Sequence, residues 1–326
     1  MPDRLIGSTV CPIPVPTPFP VGPITCYLVR GDRPILVDAG PNTPEAWEAL
    51  TAGLARWDTP LTALSAILIT HGHPDHLGQA ARLAAASGAP VWGPEGDRAF
   101  IEDYPAEILR WVAFMRRFMP RTGFPRDALE RLCCMIEERG DVAEPVRLDR
   151  ILRDGDRVAA GGLDLSVVHT PGHTPGLVCL HAAARGLLLS SDHILPTITP
   201  NPILQTFEDF WRDRFRGLVA FLASLDRVER LHVSLALPSH GEPVRDLPER
   251  IRGMRAHAED RAQKIHALLD AGRLPLFDMA MQLFPDLPEA QHLLAVFDAI
   301  GHADLLVADG RAAYVEQDGL ICLARG

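Results

Sequence analysis

Apolar residues in this chain fall into short β-like runs over the first two thirds and into long helical stripes over the last third. Runs at 24–29 and 34–37 flank Arg30-Gly31-Asp32-Arg33 and predict a hairpin with a glycine-containing loop. A stripe through Ala46, Trp47, Leu50, Leu54 and Ala55 predicts a helix over 43–57 that Thr43 can cap. A strand at 64–70, a helix from about 75 to 86 closed by Gly88, and a strand at 90–92 continue the alternation and indicate an α/β fold. Two helical patterns, about 106–118 and 126–138, break that rhythm. The first carries Ile108, Val112, Met115 and Met119 at three-to-four spacing, which suits a helical hairpin covering a sheet or, alternatively, a lid or pocket wall.

The β pattern returns from 146 to 192, with strands at 158–159, 163–169, 177–181 and 187–190. An aromatic-rich helix over about 207–225 and a strand at 231–237 follow. Beyond residue 242 the pattern predicts helices at 248–270, 276–284 and 288–300, the last with Asp286 as N-cap and Gly301 as its C-terminal stop. Short strands at 305–307, 313–315 and 320–323 complete a winged-helix-like appendage. The predicted organisation is a catalytic domain at 1–242, with a helical insertion at about 97–140, and a C-terminal domain at 243–326.

Composition narrows the function classes. With 326 residues and 47% hydrophobic content there is ample chain for a buried core. A formal net charge of −10 argues against phosphate-backbone binding as the main activity, because that needs a basic footprint. The six cysteines show no CxxC spacing, so neither a thiolate zinc site nor a dithiol redox motif is indicated. The first residues lead into a proline-rich stretch instead of an apolar signal segment, and no apolar run is long enough to span a membrane. These features predict a cytoplasmic protein without membrane association.

The chemistry is concentrated at Thr70-His71-Gly72-His73-Pro74-Asp75-His76, directly after an apolar run. Imidazole and carboxylate are the ligands that zinc and similar divalent ions take at catalytic sites. His71 and His73, two apart, can point at one ion, while Asp75 and His76, past the Pro74 bend, can reach a second. His173, Asp192 and His240 each stand where another apolar run gives way to a turn, and strand ends of one sheet converge along one edge. Asp38, at the end of the 34–37 run, is a candidate hydrogen-bond acceptor behind the ligands, or else an ordinary turn residue. His193, next to Asp192, is a catalytic candidate that could touch substrate or support the ligands. The other histidines, among them His169, His181 and His302, are expected to be structural or exposed.

These residues resemble the metallo-β-lactamase-fold superfamily. The resemblance covers about 24 to 241 and rests on Val37-Asp38-Ala39-Gly40, the 70–76 loop, Gly172-His173-Thr174, Ser191-Asp192-His193 and Ser239-His240-Gly241. It implies an αβ/βα four-layer sandwich with the site at one edge. It also implies His71, His73 and His173 on one metal, Asp75, His76 and His240 on a second, and Asp192 bridging both. The implied cofactors are two divalent ions, Zn2+ foremost, with Fe or Mn as alternatives. They would activate water as hydroxide at neutral pH, with Asp75 orienting it or accepting its proton. Asp192 stands where the classical zinc β-lactamases have a thiolate, and His73 where flavodiiron oxygen reductases carry a glutamate. Ser239 replaces the usual glycine before the last histidine. What remains resembles the glyoxalase II, thioesterase, lactonase and RNA-processing branches.

A hydrolase of small esters or thioesters is therefore the expected function. The alternative is an endoribonuclease-like enzyme using the C-terminal domain as its nucleic-acid platform. Against that alternative, 288–300 carries Glu289 and Asp298 and no Lys or Arg, whereas a groove-reading helix presents basic or amide side chains. The expected partner is a small-molecule substrate, with a homodimer as a further option.

Overall fold

Consecutive residues of the central strands feed two different cores, which explains why their sequences read as unbroken apolar runs. Val10, Tyr27, Val29, Ile35, Val37, Ala66 and Leu68 point into one cluster, while Cys11, Cys26, Leu28, Leu36 and Ile67 point into another. A strand covered on both faces must be apolar at every position, because its side chains alternate between the two. The computed structural model describes residues 2–138 and 140–326; Met1 and Arg139, the latter within the expected insertion, lie outside them.

The first sheet holds β1 (Val10–Val15), β2 (Ile24–Val29), β3 (Ile35–Val37), β4 (Ala66–Leu68), β5 (Val91–Pro94) and β6 (Arg150–Leu152) in that spatial order. Its first two pairings are antiparallel and the rest parallel. β1 carries Pro12 and Pro14 and is an edge strand, where a missing N–H costs no ladder bond. The second sheet is ordered β11-β10-β9-β8-β7, built from β7 (Arg157–Ala160), β8 (Leu163–His169), β9 (Val178–Ala182), β10 (Leu187–Ser191) and β11 (Leu235–Pro238). The two sheets share one apolar layer, in which Val37 and Leu68 meet Leu165, Val167, Leu180 and Leu189. Helices α1 (Pro44–Arg56), α2 (Pro74–Leu77) and α3 (Ala80–Ser87) lie on the outer side of the first sheet, where Leu50, Leu54, Leu77 and Leu83 complete the second cluster. Thr43 accepts from Ala46 N at 3.2 Å and caps α1, as the sequence predicts.

The predicted helix at 75–86 is two helices, α2 and α3, separated at Gly78-Gln79. A Cβ on Gly78 would lie 2.4 Å from Pro74 O and 2.6 Å from Asn42 N, so only glycine lets this turn approach the 41–42 backbone. The insertion comprises α4 (Arg98–Glu102), α5 (Tyr104–Phe118) and α6 (Arg126–Glu138). α7 (Gly217–Glu229) starts ten residues later than the pattern predicts. Residues 207–216 are irregular, and their Phe207 and Phe210 pack against Phe114 and Phe118 of the insertion. α7 and the first half of α8 (Leu247–Leu268) cover the outer face of the second sheet through Phe221, Leu225, Ile251 and Met254. The layers thus run helix, sheet, sheet, helix.

The last segment continues with β12 (Leu274–Pro275), α9 (Leu276–Leu283), α10 (His292–Ala308), β13 (Ala312–Gln317) and β14 (Leu320–Arg325). The predicted stop at Gly301 and strand at 305–307 do not occur: α10 runs through both. Gly301 acts by its small size inside the helix, since a Cβ there would lie 2.8 Å from Pro202 and 3.1 Å from Leu218. α10 also contributes Val296, Phe297 and Ile300 to a cluster shared with Trp111, Met115, Phe118 and Leu129 of the insertion. Insertion and C-terminal segment therefore have one common core. Among the described residues, no helix is long and apolar enough to cross a membrane.

Candidate metal centre

Each histidine and carboxylate singled out in the sequence leaves the C-terminal end of a strand. Asp38 follows β3, the 70–76 loop follows β4, His173 follows β8, Asp192 follows β10 and His240 follows β11. Pro74 opens α2 at its first turn, so Asp75 and His76 sit on a helical turn while His71 and His73 stay in the loop before it. Backbone bonds tie the loops together. Val178 N donates to Thr70 O at 3.1 Å, Ala39 N to His76 O at 2.7 Å, and Ser239 N to Ser191 O at 3.3 Å.

The result is a tight set of donors. His71 Nε2 and His73 Nδ1 are 3.0 Å apart, and His173 Nε2 lies 3.3 Å from Asp192 Oδ2. His76 Nε2 is 3.5 Å from Asp192 Oδ1, and His240 Nε2 is 3.3 Å from Asp75 Oδ2 and 3.8 Å from Asp192 Oδ1. Three groups have all their ligand atoms within 4.8 Å of one another: His71, His73 and His173; His71, His76 and Asp192; Asp75, His76 and His240. The two Asp192 oxygens face different groups, the arrangement a bridging carboxylate needs. All seven residues expected at the centre are brought together. His193 is not with them: its ring is buried edge-on to Phe221, and burial depresses it to about 3.

The outward sides of the rings show why a cation suits this place. His76 Nδ1 lies 2.8 Å from Asp38 Oδ2, His173 Nδ1 lies 2.8 Å from Asn201 O, and His240 Nδ1 lies 2.9 Å from Pro23 O. Each contact is to an oxygen acceptor, which assigns the proton to Nδ1 and leaves a lone pair on Nε2. Those three Nε2 atoms are buried without a hydrogen-bond partner, a costly condition that metal coordination removes. Charge points the same way. Burial lowers the His76 pKa, but Asp38, Asp192 and Asp75 outweigh it and favour positive charge at that point. Burial opposes ionisation of Asp192, yet His76 and His173 hold its carboxyl well below the usual range. Burial followed by the neighbouring His173 depresses His73 to about 3, and burial followed by His76 and His73 lowers His71 strongly. Both stay neutral, the form that binds metal.

Asp38 is more than a turn residue. It accepts from Thr70 N at 2.8 Å and Thr70 Oγ1 at 3.0 Å as well as facing His76. Its φ of 63° and that of Ser191, 48°, are left-handed, a strained conformation for non-glycine residues that clusters at functional sites. Asp97 is a functional residue that no spacing pattern in the sequence singles out. This buried carboxylate accepts from Gly72 N at 2.9 Å, Gly176 N at 2.7 Å and Thr174 Oγ1 at 2.5 Å, pinning both histidine loops. Burial raises its pKa against those three donors. The signal available was its position shortly after an apolar run, the placement that singled out Asp38. Ser239 Oγ also donates to Asp192 Oδ1, a contact the usual glycine could not make.

A cavity of about 420 Å³ opens over His73, Asp75, His173 and Asp192, walled by Phe19, Val21, Leu195, Ile198, Ile203 and Leu294. Carbon dominates this lining, which suits a substrate with apolar surface.

Comparison with known proteins finds relatives along the whole chain. The family model described as Metallo-beta-lactamase superfamily matches residues 19–240. A Bacillus subtilis protein named Probable metallo-hydrolase YqjP is 31% identical over 303 residues, covering 92% of each chain. A solved metallo-beta-lactamase family protein from Thermus thermophilus is 26% identical with a TM-score of 0.81, covering 98% of this chain and 99% of that one. A beta-lactamase domain protein from Burkholderia ambifaria is 27% identical with a TM-score of 0.85, covering 98% and 93%.

Proposed function

The chain belongs to the metallo-beta-lactamase superfamily, and from that membership we propose that it is a dinuclear metal-dependent hydrolase of small esters or thioesters, with glyoxalase II-like chemistry. His71, His73 and His173 would hold one divalent ion, Asp75, His76 and His240 the other, with Asp192 between them; zinc suits these imidazole and carboxylate donors best. When bound, the ions supply a nucleophile from water at neutral pH and polarise the substrate carbonyl. The protein's own part is positioning. Asp38, Asn201 and Pro23 orient three of the rings and Ser239 steadies Asp192, while Asp75 would direct the attacking water. Asp97 keeps the two histidine loops in register.

The single observation that carries the assignment is the set of buried, unpartnered Nε2 atoms on His76, His173 and His240, converging on the Asp75 and Asp192 carboxylates. The carbon-rich cavity above them favours an ester or thioester over a nucleic acid. The burial of α10 also speaks against an exposed recognition helix. We propose that the chain divides at 242/243, with the C-terminal portion a winged-helix-like unit packed against the insertion. The test is a panel of ester, thioester, lactone and phosphodiester substrates on protein of measured metal content. Turnover of the acyl substrates with metal-dependent rates is expected; cleavage of phosphodiesters alone would overturn the assignment in favour of the nuclease alternative.

A further inference from the structure

Beyond His73 and Pro74 the structure holds a second cavity of about 110 Å³. Its wall shares His73, Pro74 and Ile203 with the larger cavity over the centre, so the two adjoin across the reacting edge. The rest of the wall is mainly aromatic and aliphatic: Phe100 from α4, Tyr104, Ile108 and Trp111 from α5. We propose that this slot holds the acyl chain of the substrate, which makes the enzyme selective for unbranched apolar acyl groups of short to medium length. The proposal rests on the hydrolase assignment above and adds the substrate class to it.

Two features of the wall support it. The wall is held in place: Trp111 Nε1 donates to Leu204 O at 2.7 Å, and the indole packs edge-on to Phe297 of α10 at 6.0 Å. Its polar groups are largely engaged, because Asp97 takes up Gly72 N and Thr174 Oγ1, and Gln205 Nε2 donates to Ile203 O. A charged or strongly polar chain would be desolvated there without compensation. The Tyr104 hydroxyl, without a hydrogen-bond partner among the described residues, is the exception and offers one donor.

Position distinguishes the acyl chain from the leaving group. The slot borders His73 and Thr174, whereas Asp75, Asp192 and His240 are absent from its wall. A departing alkoxide or thiolate needs a proton, and Asp75, the residue proposed to handle it, lines the larger cavity and not the slot. The larger cavity, nearly four times the volume, has room for that group.

The test uses full-length, metal-quantified protein with two readouts. One is kcat/KM for p-nitrophenyl esters from acetate to octanoate; the other is calorimetric binding of the matching free carboxylates. Both are expected to rise about three- to fourfold per methylene over the first few carbons and then level off. Ile108→Trp should fill the slot and lower the hexanoyl-to-acetyl ratio about tenfold, and Ile108→Ala should move the plateau to longer chains. If Ile108→Trp does not fold, Ile108→Ala carries the comparison. A flat profile in both readouts, or an unchanged rise in a folded Ile108→Trp protein of normal metal content, overturns the proposal. A gain from lengthening the alcohol of alkyl acetates, with none on the acyl side, overturns it too. Esters cleaved with no chain-length preference sink the slot and leave the hydrolase assignment standing. Carboxylates that bind with the rise while no ester is cleaved do the reverse.

Discussion

The metal edge and the insertion core are built by opposite rules. At the edge, short loops leave strand ends and carry polar side chains that are buried yet held by specific partners, as His76 is by Asp38 and Asp192 by Ser239. In the insertion core, long helices and an irregular aromatic segment meet through Phe114, Phe118, Phe207 and Phe210, and a few carbon atoms more or less decide the fit. One buried ion pair, Arg214 with Asp304, ties that segment to α10, with Tyr314 donating to the same carboxylate. The edge is specified residue by residue and the core by shape. Damage to the first should therefore appear in metal content, and damage to the second in stability.

Variants can break this contrast, beginning with the largest effect. His71→Ala with His73→Ala removes two converging donors and should abolish most bound metal and lower kcat/KM by at least about a hundredfold. Elemental analysis checks it, and two retained metal equivalents would defeat the assignment. Asp192→Ala should weaken both ions together, because its two oxygens face different ligand groups; a protein that keeps one ion at full occupancy would show that Asp192 serves only the other. On the core side, Arg214→Met strands the Asp304 carboxylate and should cost about 3–5 kcal/mol of stability in denaturant unfolding while metal content stays at the wild-type level. A loss of metal in that variant would mean that the two regions are coupled. Asp38→Ala is the finest test. It removes the acceptor for His76 Nδ1 and should weaken metal affinity about tenfold to a hundredfold in a chelator competition. An effect below about threefold would demote Asp38 to a turn residue.

The seven candidate ligands were legible in the sequence because their signal is local. Four lie within six residues, where covalent geometry alone makes them converge, and three more mark strand ends that a parallel arrangement brings to one edge. The same grammar reached Asp38 but passed over Asp97, whose three donors come from positions 25 to 79 residues away. His193 shows what spacing leaves open: adjacency to Asp192 says nothing about direction, and its ring packs edge-on to Phe221.

Strand runs, the capped helix α1 and the strand-end placement of the candidate ligands were thus determined by sequence alone, since periodicity, capping and spacing act over a few residues. Tertiary structure decided the rest. It let α10 pass through Gly301, where close contact with Pro202 and Leu218 replaced a helix stop, and it left 207–216 irregular so that its aromatics could fill the insertion core. It also joined Ile203 to the insertion residues Ile108 and Trp111, nearly a hundred positions away, around one slot. Such contacts depend on which surfaces meet after folding, and no local pattern records that.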